Sequence, residues 1–467
     1  MLLVAEQFRA DYLDRYAARM GKGGFRRLIS EGAWFPSCRM AASTFSSSGL
    51  ATIATGAYPE THGIVADAWF DAGRRRVTNA AAQFTEGTTL AAEVLAANPR
   101  NRVIATGLDR LAPSLLAPDR QVYTLEPAGN APEWLANFRA MYAPEKHHNA
   151  RWQALGAATD APPLRILTED VSRPEEFRAL YRASPFAQQA QLELLRVLLS
   201  PERLNVGEGL VLAIAVLSSM ALLGYEVGAD SPLMEEMVIH LDQQIEITLD
   251  ALNRTPGPGN YGLIFTAAHG APQAPDPARR GVLAITGEEV ARRIDAALSA
   301  AYDAPKLKSR WVEKYVYPFL YLRHEPFQRV NLDLRAARRQ AGQAALRVPG
   351  VAAYYTLDGE CSRGGEWLRR FRNSFHHLRS GDLMLAYQPN CVEETGAGRG
   401  VSYGSLYNYD TQVPLIFYGG PFLEGVFEEA VESVDIAPTL ARAMRVAAPS
   451  SSTGRVLGDA LLPEPRG

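Results

Sequence analysis

The stretch Leu263-Ile264-Phe265-Thr266-Ala267-Ala268-His269-Gly270 sets an unbroken apolar run directly against a histidine and a glycine turn. An apolar run without alternation marks a strand covered on both faces, the condition of a strand inside a parallel sheet. Working outward, residues 2–5, 102–105, 210–217, 383–386 and 415–418 have the same character, and long amphipathic stretches separate most of them. Glycine turns recur among them, at Thr55-Gly56 and Ala105-Thr106-Gly107 as well as at Gly270. The pattern predicts an α/β fold, a mostly parallel central sheet with helices on both faces. In such sheets ligands bind beyond the carboxyl ends of the strands, so these turns are where chemistry is expected.

The 467 residues are 47% hydrophobic and 21% charged, enough for one large α/β domain with an insertion or for two ordinary domains. The reading divides the chain into a core over residues 1–273, a cap over 274–378 with helices at 287–302 and 334–345, and a second part of the core over 379–467. A net charge of −3 and a pI near 6.3 give no basic excess for nucleic acid or an anionic membrane surface. Cys38, Cys361 and Cys391 are widely spaced and odd in number, so they form no disulfide framework and no paired metal motif. The apolar stretch 210–223 is shorter than the roughly 20 residues of a membrane span and is broken by Ser218-Ser219. It is expected to be a central strand entering a loop. Residues 2–5 already read as a strand directly after Met1, which suggests a trimmed or misplaced start.

Six separated motifs then fall in a meaningful order. They are Glu6-Gln7-Phe8-Arg9-Ala10-Asp11-Tyr12; Ser46-Ser47-Ser48-Gly49 through Gly56, running on through Pro59-Glu60-Thr61-His62-Gly63-Ile64 to Trp69-Phe70-Asp71; Ser218-Ser219-Met220-Ala221-Leu222-Leu223-Gly224-Tyr225, running on to Leu241-Asp242; Thr266-Ala267-Ala268-His269-Gly270; Arg379-Ser380-Gly381-Asp382; and Gly400-Val401-Ser402-Tyr403-Gly404 through Asp410. With Asp435-Ile436-Ala437-Pro438-Thr439 near the end, the ordered set covers nearly the whole chain. It resembles the alkaline phosphatase superfamily, in its type I phosphodiesterase/nucleotide pyrophosphatase branch, and is closest in pattern to the phosphate-irrepressible alkaline phosphatases. The resemblance implies an alkaline-phosphatase-like fold and, from a start further upstream, a periplasmic or secreted location.

It also implies a two-zinc site that hydrolyses phosphoesters, in which the paired ions activate a hydroxyl nucleophile and neutralise the leaving oxygen. Carried over position by position, Ser46 stands at the nucleophile and Glu6 at the first-motif aspartate, one methylene longer. Ala221 and Tyr225 replace the aspartate and histidine of the third motif, Ala268 the aspartate of the fourth, and Tyr403 the histidine of the sixth. His269 is kept. Four of the six side-chain ligands are therefore replaced. Alanine donates nothing, and a neutral tyrosine with a pKa near 10 is a poor zinc ligand. At the phosphate contacts, Asp67 stands where the family has asparagine, and of a Lys-x-Arg pair only Arg110 survives in Leu108-Asp109-Arg110.

Each remaining residue also has a plainer reading. Ser46 could be a helix N-cap rather than a nucleophile. His269 could be bonded to a carbonyl or to Glu6 rather than to a metal. Glu6 facing emptied metal positions would need Arg or His neighbours. Tyr225 and Tyr403 would together fill the vacated space. His147-His148 and His376-His377 are expected at the surface, and His62 is expected to be a structural loop residue. No general base lies in the motif of Ser46, so without metal its hydroxyl has no route to an alkoxide. The expected function is thus a phosphatase-like protein without two-zinc catalysis, binding a small phosphorylated, other anionic or neutral ligand or partnering an active relative. No cofactor is expected unless Glu6 and His269 still hold zinc. The alternatives are a hydrolase using one metal held by Glu6, Ser46 and His269, and a metal-free transferase or hydrolase built on Ser46.

Overall fold

The computed structural model describes residues 1–118, 121–127, 129–158, 160–168, 173–204, 209–272, 284–302, 309–329, 331–389, 391–393 and 403–463. Its main sheet contains β1 (Leu2–Gln7), β2 (Gly32–Phe35), β3 (Arg102–Gly107), β4 (Val122–Thr124), β5 (Val211–Leu217) and β6 (Gly262–His269). A smaller sheet contains β7 (Val312–Val316), β8 (Phe319–Leu322), β9 (Val351–Thr356) and β10 (Leu383–Tyr387), and β11 (Leu415–Gly419) and β12 (Gly425–Val426) return to the main sheet. The main sheet runs β12-β2-β11-β6-β1-β5-β3-β4. The five strands from β6 to β4 are parallel, whereas β11 runs antiparallel to both β6 and β2. The α/β class read from the sequence is what the chain adopts.

β1 lies at the centre because Leu2, Leu3, Val4 and Ala5 offer no polar face, and all four are buried. Its register on β6 pairs Ala5 with Ala267 and Gln7 with His269, while Ala5 also pairs with Leu217 on β5. The carboxyl ends of three strands therefore stop level, and Glu6, Ser218 and His269 stand side by side at the edge expected to carry chemistry.

Helix α1 (Ser46–Thr55) crosses that edge. Every residue in it is buried although six carry hydroxyls or lack a side chain, Ser46, Ser47, Ser48, Gly49, Thr52 and Thr55. Such a helix survives burial because its hydroxyls find partners close by: Ser48 donates to the Phe45 carbonyl at 3.0 Å and Thr55 to that of Ala51 at 2.7 Å. Gly56, left-handed at φ 66°, ends the helix. Gly49 permits the close approach, since a Cβ there would collide with the Ala268 carbonyl of β6.

Three expectations about elements change. The stretch 210–223 is not a strand entering a loop: β5 ends at Leu217 and helix α2 (Ser219–Val227) begins at once. The run 383–386 belongs to the smaller sheet, as β10 between β8 and β9. Apolar runs announce a buried strand but not which sheet buries it. His376 is 2% exposed rather than at the surface, with Nε2 3.3 Å from Glu86. The helices expected at 287–302 and 334–345 form as α3 (Gly287–Tyr302) and α4 (Leu334–Ala345), packed on the smaller sheet. No helix among the described residues is long and apolar enough to cross a membrane.

Candidate active site

Ser46 is the first residue of α1, and the N-cap position falls on extended Phe45, which bonds no helix amide through its side chain. The Ser46 hydroxyl is instead turned to β6, with Oγ 2.9 Å from Nε2 of His269. The other ring nitrogen of His269, Nδ1, lies 2.6 Å from the Gly270 carbonyl oxygen. A carbonyl can only accept, so Nδ1 carries the hydrogen and Nε2 is left as a lone pair facing Ser46. Ser46 is therefore the donor in the pair. Burial lowers His269 to about 4, the Gly270 carbonyl opposing, so the ring is neutral around pH 7.

Tyr403 lies flat against this imidazole, with ring centres 4.3 Å apart and planes 24° apart. Tyr225, one turn beyond Ala221 on α2, meets Tyr403 edge to face at 5.6 Å. Phe45 completes the wall, 6.3 Å from Tyr403 and 5.6 Å from Tyr317. Gly404 makes room for that contact, since at φ +105° it sits where a Cβ would enter the Phe45 ring. Tyr225 and Tyr403 thus share one aromatic cluster with His269.

Glu6 is met by hydroxyls and by other carboxyls. Burial raises its pKa, the hydroxyls of Ser218 and Ser46 bond to it in the opposing sense, and the charge of Asp67 adds to the rise. Asp67 is raised as well, by burial, although the Ser47 amide donates to its Oδ1 at 2.8 Å and the Tyr403 hydroxyl bonds to it. The turn after β3 borders the same place: Asp109 contributes to the rise at Glu6 and is bound by Arg182 at 2.9 Å. Arg110 follows it, opening the short helix Leu111–Ser114.

Sequence reasoning overlooked Ser218, Phe45 and Tyr317, and found no base for Ser46 because it searched within one motif. The ring nitrogen that Ser46 meets belongs to His269, 223 residues away. The signal for Ser218 was present, since it is the first residue past a buried strand, next to the carboxyl end of β1. His62 is fully buried at the end of the one-turn helix Pro59–His62, bonded to the Thr52 hydroxyl at 3.1 Å, a structural role.

The described residues do not make up the donor set of a two-zinc centre. Ala221 and Ala268 have no donor atoms, Tyr403 covers one face of His269, and both His269 nitrogens are engaged within the protein. No group of three or more His, Cys, Asp or Glu among the described residues is arranged to hold a metal ion.

Comparison with known proteins agrees on the fold. The chain is 24% identical over 519 residues to alkaline phosphatase PhoV of Synechococcus elongatus, covering 98% of this chain and 92% of that protein. It is 22% identical over 518 residues to alkaline phosphatase PafA of Elizabethkingia meningoseptica, covering 98% and 93%. The crystal structure of wild-type PafA superposes with a TM-score of 0.82 at 19% identity over 98% of both chains. Murine ectonucleotide pyrophosphatase/phosphodiesterase 5 superposes at 0.55 and 15% identity, over 96% of this chain and 95% of that one. Residues 1–392 match the family described as type I phosphodiesterase/nucleotide pyrophosphatase, and the chain belongs to that family.

Proposed function

We propose that this protein keeps the phosphoesterase fold but has given up two-zinc phosphoester hydrolysis, and that its cleft serves an uncharged small ligand. The observation that carries the reading is the Tyr403 ring stacked on His269 and met edge-on by Tyr225, aromatic carbon where the family's ions would need imidazole. The two carboxyls argue against the phosphorylated ligand suggested by the family. Burial raises both Glu6 and Asp67 and the charge of Asp67 adds to the rise at Glu6, so a phosphate dianion placed beside them would add to that cost.

Two measurements test the reading. Elemental analysis of purified protein should find well under one zinc per chain. Turnover of nitrophenyl phosphate mono- and diesters should lie at least roughly a thousandfold below that of PafA or PhoV. A positioned metal pair supplies several kcal/mol, and each 1.4 kcal/mol is about tenfold in rate. Robust zinc-stimulated turnover that disappears in Ser46→Ala would replace this reading with the one-metal hydrolase.

A further inference from the structure

We propose that Ser46 and His269 form a metal-free nucleophile–base pair that accepts an acyl group from an uncharged carboxylic ester. The proposal rests on the reading that two-zinc chemistry is lost and adds an activity to it.

The geometry supplies each required part. Oγ of Ser46 stands 2.9 Å from Nε2 of His269, within reach for direct proton transfer. The ring cannot present the wrong nitrogen, because Nδ1 is held at 2.6 Å on the Gly270 carbonyl. Its orientation is fixed a second time by Tyr403, stacked 4.3 Å away. Nucleophile, base and a third group that orients the base is the arrangement that activates a hydroxyl. Here the third group is a neutral carbonyl rather than a carboxylate, which stabilises the imidazolium less and predicts slow turnover.

The step balances without a metal. Oγ attacks the carbonyl carbon as its proton passes to Nε2. The tetrahedral intermediate then breaks its bond to the alcohol oxygen, which takes that proton and leaves. Water, deprotonated by the same nitrogen, releases the acid and restores Ser46. The oxyanion forms at the amino end of ten-residue α1, where the macrodipole favours negative charge.

The substrate class follows from the flanking groups. An ester carries no charge until the intermediate forms, which suits a hydroxyl next to the Asp67 carboxyl that the Ser47 amide holds at 2.8 Å. Phe45, Tyr225 and Tyr403 offer aromatic surface to an apolar acyl or alcohol portion.

The test uses the whole chain in chelator-containing buffer with p-nitrophenyl butyrate, and separately with phenylmethanesulfonyl fluoride as a trap. The modified peptide is identified by mass. The expected result is one adduct on Ser46, formed equally with and without zinc, absent in Ser46→Ala and at least roughly a hundredfold slower in His269→Gln. Adduct formation in the wild-type protein should also slow in D2O, which decides the matter if either variant fails to fold. Absence of any adduct on Ser46, or one that forms at the same rate in His269→Gln or in D2O, overturns the proposal. Those outcomes leave the loss of zinc chemistry standing, which zinc content and phosphate turnover decide separately.

Discussion

His269 is the residue on which the most readings converge, and its position exposes what a motif can and cannot convey. Its place at the end of the apolar run was visible, and so were Ala221, Tyr225, Ala268 and Tyr403 in the other motifs, because residues at motif positions can be read directly. What the sequence concealed was the partner, since a contact between Ser46 and His269 depends on how α1 sits on β6. The same contact makes a pH prediction. Burial lowers the ring from 6.5 to about 4, so the fold favours its neutral form. That contribution is fully present above pH 6.5 and is lost as pH falls toward 4, on the order of 3 kcal/mol in total. Burial acts on Glu6 and Asp67 the other way, since raised carboxyls favour folding at low pH, but both are present in wild type and in His269→Gln. His269→Gln should therefore be less stable than wild type at pH 7, with the gap closing by pH 4. Urea unfolding of both proteins at pH 7, 5 and 4 measures this, and a gap constant with pH would contradict the buried neutral imidazole.

Helix α1 joins the two halves of the site, and it does so through a residue without a side chain. The apolar character of 50–54 and the glycine at 56 announced the helix, just as periodicity announced α3 and α4. The assignment of strands to sheets stayed hidden, because β10 and β5 are equally apolar and pairing is decided by distant loops. The sequence also gave no sign that Gly49 lies against the Ala268 carbonyl. Gly49→Ala sets two effects against each other. Alanine gains about 1 kcal/mol of helix propensity over glycine. Its methyl, however, meets a backbone carbonyl of a central strand, which cannot turn aside as a side chain would, and overpacking costs about 1–3 kcal/mol. The second effect should win or nearly cancel the first, and α1 should shift away from β6. The readout is the Ser46 adduct rate together with urea unfolding. A variant more stable than wild type by the full helix increment, with unchanged Ser46 reactivity, would mean that the close approach is not real.

Across the whole molecule, the replaced ligands bear on what holds the fold together without metal. A two-zinc cleft stripped of its ions leaves several carboxylates crowded at the carboxyl ends of the strands, which costs stability through like-charge repulsion. In this chain Ala221 and Ala268 stand at two of the positions where the resemblance expects carboxylates, both buried at 7% and 0% exposure; Glu6 stands at the third, Asp67 adds a carboxyl, and burial raises the pKa of both acids. Phe45, Tyr225 and Tyr403 occupy the same region with ring-to-ring contacts. The cleft should then be self-sufficient, and the protein should melt at the same temperature with and without a strong chelator. Zinc at micromolar concentration should shift that temperature little. A ligand at a hundredfold excess over its dissociation constant stabilises by about 2.7 kcal/mol, so retained affinity could not be missed in a melting curve. A clear rise with zinc that is lost in His269→Ala would show that Glu6, Ser46 and His269 still gather an ion. In that case the hydrogen bond from Ser46 to His269 would describe only the metal-free state.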